Sequence, residues 1–243
     1  MAKLIIFAME MMGVHMKDAL HVGLMVPSNN TTMERELTAW LPAGSTCATQ
    51  RIPRGKGMLT QETLPEYMAQ ALKLAEAFDD PRVDVVAYGC TAAGFISGPS
   101  GDKALQRSLF NITGKNVVTT ARSMVVALQE IGATKIALVT PYLDTVNTQL
   151  KAFLADGGIT VKRFNSFYAQ NVDELGRIEA HQVAKLARET MADDCEAMFI
   201  GCSQLPTAEI LGDLEREFGR PAFSSIQVTA RRAQLAAEGR VAA

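Results

Sequence analysis

The sequence predicts an α/β protein with two pseudo-symmetric, Rossmann-like lobes, each built on a parallel sheet, and an active site in the cleft between them. Short apolar runs rich in β-branched residues alternate with longer stretches of helical periodicity, which is typical of parallel strands connected by helices. The chain has 243 residues, enough for one large α/β unit or for two small lobes. An internal repeat favours two lobes.

The repeat has two parts. Residues 23–41 and 136–154 each contain an apolar strand, a proline at its end, polar loop residues and an amphipathic helix, and each of the segments 83–94 and 195–206 contains an apolar strand followed by Gly-Cys. Pro27 precedes Cys90 by 63 residues, and Pro141 precedes Cys202 by 61. The nearly equal spacing predicts two similar lobes. We place the first at 20–120 plus 225–243, the second at 121–224 and an N-terminal extension at 1–19.

The elements follow from the periodicity of the apolar residues. Short apolar runs and their counterparts in the repeat are assigned to strands, which cover 21–27, 46–52, 83–88, 116–119, 134–140, 159–164, 195–200 and 221–224. Stretches with apolar residues at helical spacing are assigned to helices, which cover 31–40, 62–78, 121–131, 143–155, 172–192, 206–218 and 227–238.

Composition and charge exclude several classes of protein. Lys and Arg number 24 against 26 Asp and Glu, and the pI near 6.0 leaves no basic excess for a nucleic-acid partner. No apolar run approaches the roughly 20 residues that cross a bilayer, so we expect no membrane partner. The apolar run at 4–9 ends at Glu10 and is too short for a secretory signal. We therefore expect a cytoplasmic protein.

The sequence also shows no cofactor motif. The four cysteines match no zinc or CxxC spacing, and the three histidines are scattered, so we expect free thiols and no metal. Neither GxGxxG nor GxxxxGK[ST] is present, which disfavours a nucleotide. We expect no cofactor.

Two cysteines stand where chemistry is expected. Ligands of open α/β sheets bind at the carboxyl ends of strands, and the repeat places Cys90 and Cys202 at equivalent strand ends on opposite sides of the cleft. A helix N-terminus favours a thiolate, so the pair can act as nucleophile and acid or as two acid/base groups. The alternative is that they are small buried hydrophobic residues. Cys47 and Cys195 lack this placement and are expected to pack in the core.

Polar residues near the same strand ends are candidate substrate contacts. Asn30 and Thr31 follow the first strand, where the alternative role is helix capping. Tyr142 takes the corresponding place in the second lobe. The remaining candidates are residues that follow strands or precede a helix: Thr91, Thr119, Thr120, Asn171 and Ser203.

Two segments carry a resemblance to a known family. VPSNNTTMERE at 26–36 is similar to the VPSSNTTMETE motif of maleate isomerases, and 141–154 resembles the matching segment of maleate isomerases and arylmalonate decarboxylases. The resemblance spans most of 20–225. It identifies the chain as a member of the aspartate/glutamate racemase superfamily, in the branch of these two enzymes.

The resemblance implies a two-lobed, cofactor-independent isomerase of maleate or a related small dicarboxylate. Cys90 would add to the substrate double bond to form a succinyl-type intermediate, and Cys202 would deliver and recover the proton. Asn30, Tyr142 and Asn171 would hold the substrate carboxylates.

The sequence departs from the family pattern in three places. Arylmalonate decarboxylases keep only the second cysteine, so Cys90 disfavours decarboxylation. Asn29 replaces a serine of the motif, and 89–101 matches maleate isomerases poorly. An amino-acid or hydantoin racemase, a decarboxylase of the same superfamily and a non-catalytic acid-binding protein remain open alternatives. Amphipathic helices that can bury a second surface favour a homodimer or higher homo-oligomer.

Overall fold

The fold consists of two four-stranded parallel sheets with the same strand order. The computed structural model describes residues 19–240, so the predicted N-terminal extension lies outside the described residues except for its last position. The first sheet contains β1 (His21–Pro27), β2 (Thr46–Ile52), β3 (Val85–Tyr88) and β4 (Val117–Thr119) in the order β2-β1-β3-β4. The second contains β5 (Lys135–Thr140), β6 (Thr160–Ser166), β7 (Ala197–Ile200) and β8 (Ala222–Ser224) in the order β6-β5-β7-β8. The predicted α/β fold is confirmed, and the internal repeat is a repeat of sheet topology.

Ten α-helices connect these strands within the described residues. In the first half they are α1 (Met33–Trp40), α2 (Leu64–Ala75, continued by a short 3₁₀ turn at Glu76–Phe78), α3 (Thr91–Ile96), α4 (Gly98–Thr113) and α5 (Thr120–Glu130). In the second half they are α6 (Asp144–Asp156), α7 (Val172–Gly176), α8 (Ala180–Thr190), α9 (Leu211–Phe218) and α10 (Ser225–Ala237). None of them, between residues 19 and 240, combines the length and apolar character needed to span a bilayer.

The helices differ from the predicted ones in three places. Helices α3 and α4 were not predicted, because the glycines and the proline of 94–101 resemble a loop; Pro99 lies in the first turn of α4, where the missing N–H costs no hydrogen bond. The helix predicted at 172–192 is two helices, because Glu179 and Gln182 form a capping box that starts α8. The helix predicted at 206–218 begins only at Leu211.

The hydrophobic core joins the two halves of the chain. One apolar cluster contains buried residues of both sheets, among them Tyr88, Leu138 and Phe199. A smaller cluster lies where α10 covers the first sheet and packs against α1 and α5. The last helix therefore lies against the first half of the chain, although the exact lobe boundaries stay a prediction.

Backbone hydrogen bonds set the position of both Gly-Cys turns. Gly89 N donates to Met25 O at 2.7 Å, just beyond the last paired residues of β1 and β3. Gly201 N donates in the same way to Val139 O at 2.8 Å, beyond β5 and β7. Each following cysteine is thereby held at the carboxyl end of a central strand.

Candidate active site

Cys90 and Cys202 line one cavity between the two sheets. The other lining residues come from strand ends, loops and helices of both halves: Pro27, Asn29, Asn30, Arg54, Met58, Leu59, Thr91, Ala92, Tyr142, Val146, Leu175, Ser203 and Gln204. The cavity is small, about 30 Å³. Arg54, Met58 and Leu59 also line a neighbouring cavity of about 370 Å³, so these side chains form the wall between the two spaces.

Both thiols are buried, and burial dominates their ionisation. Desolvation raises the pKa of Cys90 above that of an ordinary thiol, although the Tyr67 hydroxyl, the backbone N–H groups of Ala93 and Ala92 and the charge of Arg54 act in the opposite direction. Desolvation likewise raises the pKa of Cys202, against the effects of Tyr142 and backbone N–H groups. The N–H groups at the start of α3 favour the Cys90 thiolate, as expected, but the cost of burying the charge is larger. Cys202 has only the N–H groups of a turn, because the next α-helix begins at Leu211.

A tyrosine accompanies each cysteine. Tyr67, on α2, has a buried hydroxyl that interacts with the Cys90 thiol, and burial raises its pKa well above the usual range. Tyr142 follows β5 and faces Cys202; burial also raises its pKa well above the usual range. Both phenols therefore stay protonated and can donate a hydrogen bond to a thiolate or to a bound anion. The ring of Phe95 holds that of Tyr142 edge-on at 5.6 Å.

Hydrogen bonds join the two halves along one side of the cavity. Asn30 Nδ2 donates to the carbonyl and the hydroxyl oxygens of Ser203, both at 3.1 Å, and the Ser203 hydroxyl donates to Gly89 O at 2.7 Å. Thr31 and Gln204 form a reciprocal pair. We call this set, together with the Glu36 contacts described next, the seam.

Glu36 extends the seam away from the cavity. Its buried carboxylate accepts hydrogen bonds from the backbone N–H of Thr207 and Ala208 and from the Thr207 hydroxyl, at 3.0 to 3.1 Å. Burial raises the pKa of Glu36, and these donors oppose that rise. A carboxyl group of α1 thus anchors the chain that follows the second Gly-Cys turn.

Asn30 has the capping role that was weighed against ligand contact, and it also lines the cavity. Its Oδ1 accepts from the backbone N–H of Thr32 at 3.0 Å and of Met33 at 2.9 Å. With Nδ2 on Ser203, both ends of the amide already have partners in the protein. Whether Asn30 also contacts substrate stays a prediction.

The structure brings six of the ten predicted site residues to the cavity: Asn30, Cys90, Thr91, Tyr142, Cys202 and Ser203. It does not bring the other four to its lining. Thr119 donates its hydroxyl to Asp102 Oδ2 at 2.7 Å, and Thr120 donates to Tyr88 O at 3.0 Å, so both hydroxyls point into the protein. Thr31 instead pairs with Gln204. Asn171 caps α7 by accepting from Asp173 N and Glu174 N, and α7 contributes Leu175 to the lining.

Several residues near the thiols were missed by the sequence analysis. Arg54, Met58 and Leu59 come from the loop between β2 and α2, which has no counterpart in the repeat and contains no recognised motif. Tyr67 reaches the site from a helix face that the periodicity assigns to the core. Asn29 carries a buried Oδ1 with no hydrogen-bond partner among the described residues; it was noted only as a departure from the family motif.

No metal centre is found within residues 19–240: no three His, Cys, Asp or Glu side chains there are grouped closely enough to hold an ion. The four cysteines are free thiols. Cys195 is buried just before β7, and Cys47 is half-buried on β2.

Comparison with known proteins agrees with this geometry. The model of the arylmalonate decarboxylase family matches residues 22–239. The chain belongs to this family. It is 26% identical to the maleate isomerase of Geobacillus stearothermophilus over 220 residues, which are 86% of this chain and 88% of that protein. It is 28% identical to the maleate isomerase of Nocardia farcinica over 212 residues, 84% of each chain.

A solved structure of the Nocardia farcinica enzyme has the same fold. It is a Cys-to-Ser variant of the maleate cis-trans isomerase with a covalently bound succinylcysteine intermediate. It superposes with a TM-score of 0.79 at 24% identity and covers 88% of this chain and 91% of that one. The membership predicted from residues 26–36 is confirmed, and the chain is a maleate isomerase-like enzyme.

Proposed function

We propose that the protein catalyses the cofactor-independent cis-trans isomerisation of maleate or a closely related small dicarboxylate. The observation that carries the proposal is the placement of Cys90 and Cys202 in one cavity, at equivalent strand ends of the two sheets. Similarity to maleate isomerases and the succinylcysteine bound to one of them support it.

The reaction begins with a bond between Cys90 and the substrate. Cys90 first loses its proton to solvent, and the Tyr67 hydroxyl, the N–H groups of Ala92 and Ala93 and the charge of Arg54, which lower its pKa against the effect of burial, stabilise the thiolate. The Cys90 thiolate adds to one alkene carbon, and the π electrons move to the other carbon, where the adjacent carboxylate delocalises the charge. Cys202 then transfers its proton to that carbon, which gives a succinyl thioether. The raised pKa of Cys202 suits this role, because the thiol must still hold its proton when the carbanion forms.

Isomerisation follows from rotation about the new single bond. The Cys202 thiolate takes the proton back, the double bond re-forms in the trans arrangement, and the C–S bond breaks to return the Cys90 thiolate. No electrons or atoms are gained or lost. The Tyr67 and Tyr142 hydroxyls supply protonated donors beside the two sulfur atoms during these steps.

Incubation with maleate tests the proposal. We expect ¹H NMR to show fumarate forming with the wild-type protein. Substitutions Cys90→Ser and Cys202→Ser should each reduce the rate by about 10³-fold or more, because each removes a covalent or proton-transfer step. Intact-mass measurement of Cys202→Ser with maleate should show one added substrate, because solvent can slowly protonate the adduct while no thiolate is present to take the proton back, as in the Cys-to-Ser relative that holds a succinylcysteine.

The matched control is Cys47→Ser, a change to a half-buried thiol on β2 that should leave the rate unchanged. Absence of fumarate with folded wild-type protein would contradict the proposal. Exchange of solvent deuterium into the α-carbon of an amino acid, without turnover of maleate, would indicate the racemase alternative instead.

A further inference from the structure

Arg54 is the one residue ionised at neutral pH among the described residues that line the cavity of the two cysteines. The other lining groups are thiols, amides, hydroxyls and apolar side chains. A dicarboxylate brings two negative charges into this space, and a buried charge is tolerated only when it is paired. The charge of Arg54 is therefore the available counter-charge.

Arg54 is held in place but is not neutralised. Its Nη2 donates to Gly57 O at 2.6 Å, which fixes the guanidinium across the turn 54–57. No ion pair of Arg54 is found within residues 19–240. Its neighbour Arg51 differs, since it pairs with Glu34 at 2.9 Å. A guanidinium has five N–H donors, so Arg54 keeps donors for a carboxylate.

Arg54 also stands between the two cavities. It lines the cavity of about 30 Å³ that contains the thiols and the neighbouring space of about 370 Å³, and Met58 and Leu59 do the same. An anion that passes from the larger space to the thiols must move past this guanidinium. Its positive charge already reaches Cys90, Tyr67 and Tyr142, since it lowers the pKa of all three against the effect of burial.

We propose that Arg54 binds one carboxylate of the substrate and makes the site selective for anions. The proposal rests on the proposed function for the identity of the substrate, but the selectivity for negative charge can be tested without it. The expected ligand class is a small dicarboxylate whose reacting carbon lies next to the carboxylate that Arg54 binds.

Two alkylating reagents of nearly the same size separate charge recognition from thiol reactivity. Iodoacetate carries a carboxylate and iodoacetamide does not, and both react with a thiolate by displacing iodide. Peptide mass spectrometry measures the rate at which each reagent alkylates Cys90. In Arg54→Gln we expect the rate with iodoacetate to fall at least tenfold further than the rate with iodoacetamide. The iodoacetate rate of Arg54→Lys, which keeps the charge, should lie between those of the wild type and Arg54→Gln.

Lys56→Gln is the matched control, because Lys56 is an exposed cation in the same loop and does not line either cavity. It should leave both rates unchanged, and the circular dichroism of all variants should match that of the wild type. Equal loss of both rates in Arg54→Gln, or no loss of either, would overturn the proposal.

Steady-state kinetics give the second measurement. With maleate, Arg54→Gln should raise KM at least tenfold, and the preference for maleate over its monoamide should fall. An unchanged KM and preference would overturn the assignment. If wild-type protein does not turn over maleate, the proposed function fails while the alkylation result still decides the role of Arg54.

Discussion

Asp102, on α4, is a carboxyl group buried at the edge of the first sheet. Its Oδ2 accepts the Thr119 hydroxyl, and its Oδ1 has no hydrogen-bond partner among the described residues. Desolvation raises its pKa from 3.8 to about 6, although the Thr119 hydrogen bond and the charge of Arg122 oppose the rise. The folded protein therefore binds this proton more tightly than the unfolded chain does.

The raised pKa predicts a loss of stability with rising pH. Between pH 4 and 6 the unfolded chain releases this proton while the folded protein still holds it. The free energy of unfolding therefore falls by roughly 3 kcal/mol, and the fall is complete above pH 6. Asp102→Asn cannot ionise and keeps an acceptor for Thr119. We expect the difference between the Tm of Asp102→Asn and the Tm of the wild type to increase by roughly 6 to 12 °C from pH 4 to pH 7.

Thermal melts at the two pH values check this prediction. Asp156→Asn is the control, because it removes an exposed carboxyl beside the same α4–α6 region. A Tm difference between Asp102→Asn and wild type that is the same at both pH values would show that the buried carboxyl is not the cause.

The placement of single residues was predictable only where the repeat marked them. Cys90, Cys202 and Tyr142 follow central strands in matching positions, and the sequence alone placed them correctly near one another. Thr119 is the last residue of β4, an edge strand, and one sequence does not reveal the order of strands in a sheet. Its hydroxyl donates to Asp102 instead. Nothing in the sequence indicated that Arg54 lines the cavity, because a charged residue in a polar loop is normally expected to be solvated.

The two Gly-Cys turns have the same hydrogen bond but different surroundings. A Cβ at Gly89 would lie 2.5 Å from Met33 Sδ and 2.8 Å from Met25 O. A Cβ at Gly201 would meet nothing closer than Leu138 Cδ1 at 3.5 Å, an ordinary contact. Only the first turn needs glycine for space.

Alanine at each turn tests this difference. Gly89→Ala should lower the free energy of unfolding by roughly 1 to 3 kcal/mol, because the backbone oxygen of Met25 cannot move without disturbing β1. Gly201→Ala should change it by less than about 1 kcal/mol. Urea titrations measure both values, with the same dependence of the unfolding free energy on urea concentration expected for both variants. Similar midpoints for the two variants would contradict the prediction.

At the level of elements, all eight strands were predicted, and the errors concern helices that were missed, joined or started too early. Apolar runs identify the central strands β1, β3, β5 and β7 well, because a central strand of a parallel sheet is buried on both faces. Helix α4 was missed because its first turn is Gly-Pro-Ser-Gly, although it ends as a helix should, on Gly114 with φ +63°. The boundary at Glu179 depends on a capping box, a side-chain geometry that periodicity does not report.

Over the whole molecule, the course of the chain argues against independent lobes. Ile226 on α10 is fully buried against the first sheet, although α10 follows the last strand of the second. The larger apolar cluster contains residues of both sheets. We therefore expect the two halves to unfold in one transition.

Two spectroscopic probes check this cooperativity. Trp40, the only tryptophan, reports on the first half, while far-UV circular dichroism reports on both. Ile226→Ala should lower the free energy of unfolding by about 2 to 5 kcal/mol and Ile226→Val by about 0.5 to 1.5 kcal/mol. In each variant the two probes should give the same midpoint. If the Trp40 midpoint shifted while a circular dichroism transition stayed at the wild-type midpoint, the two halves would unfold separately.

The seam has a consequence for how such a protein changes over evolution. Asn30, Ser203, Glu36 and Thr207 set the relative placement of the two cysteine loops, and none of them belongs to the 53–59 loop that separates the thiols from the larger cavity. Mutations in 53–59 can therefore alter which acid is admitted while the reactive groups keep their positions. Variants of 53–59 can thus be screened for altered substrate preference while the hydrogen bonds that hold the two cysteine loops remain in place.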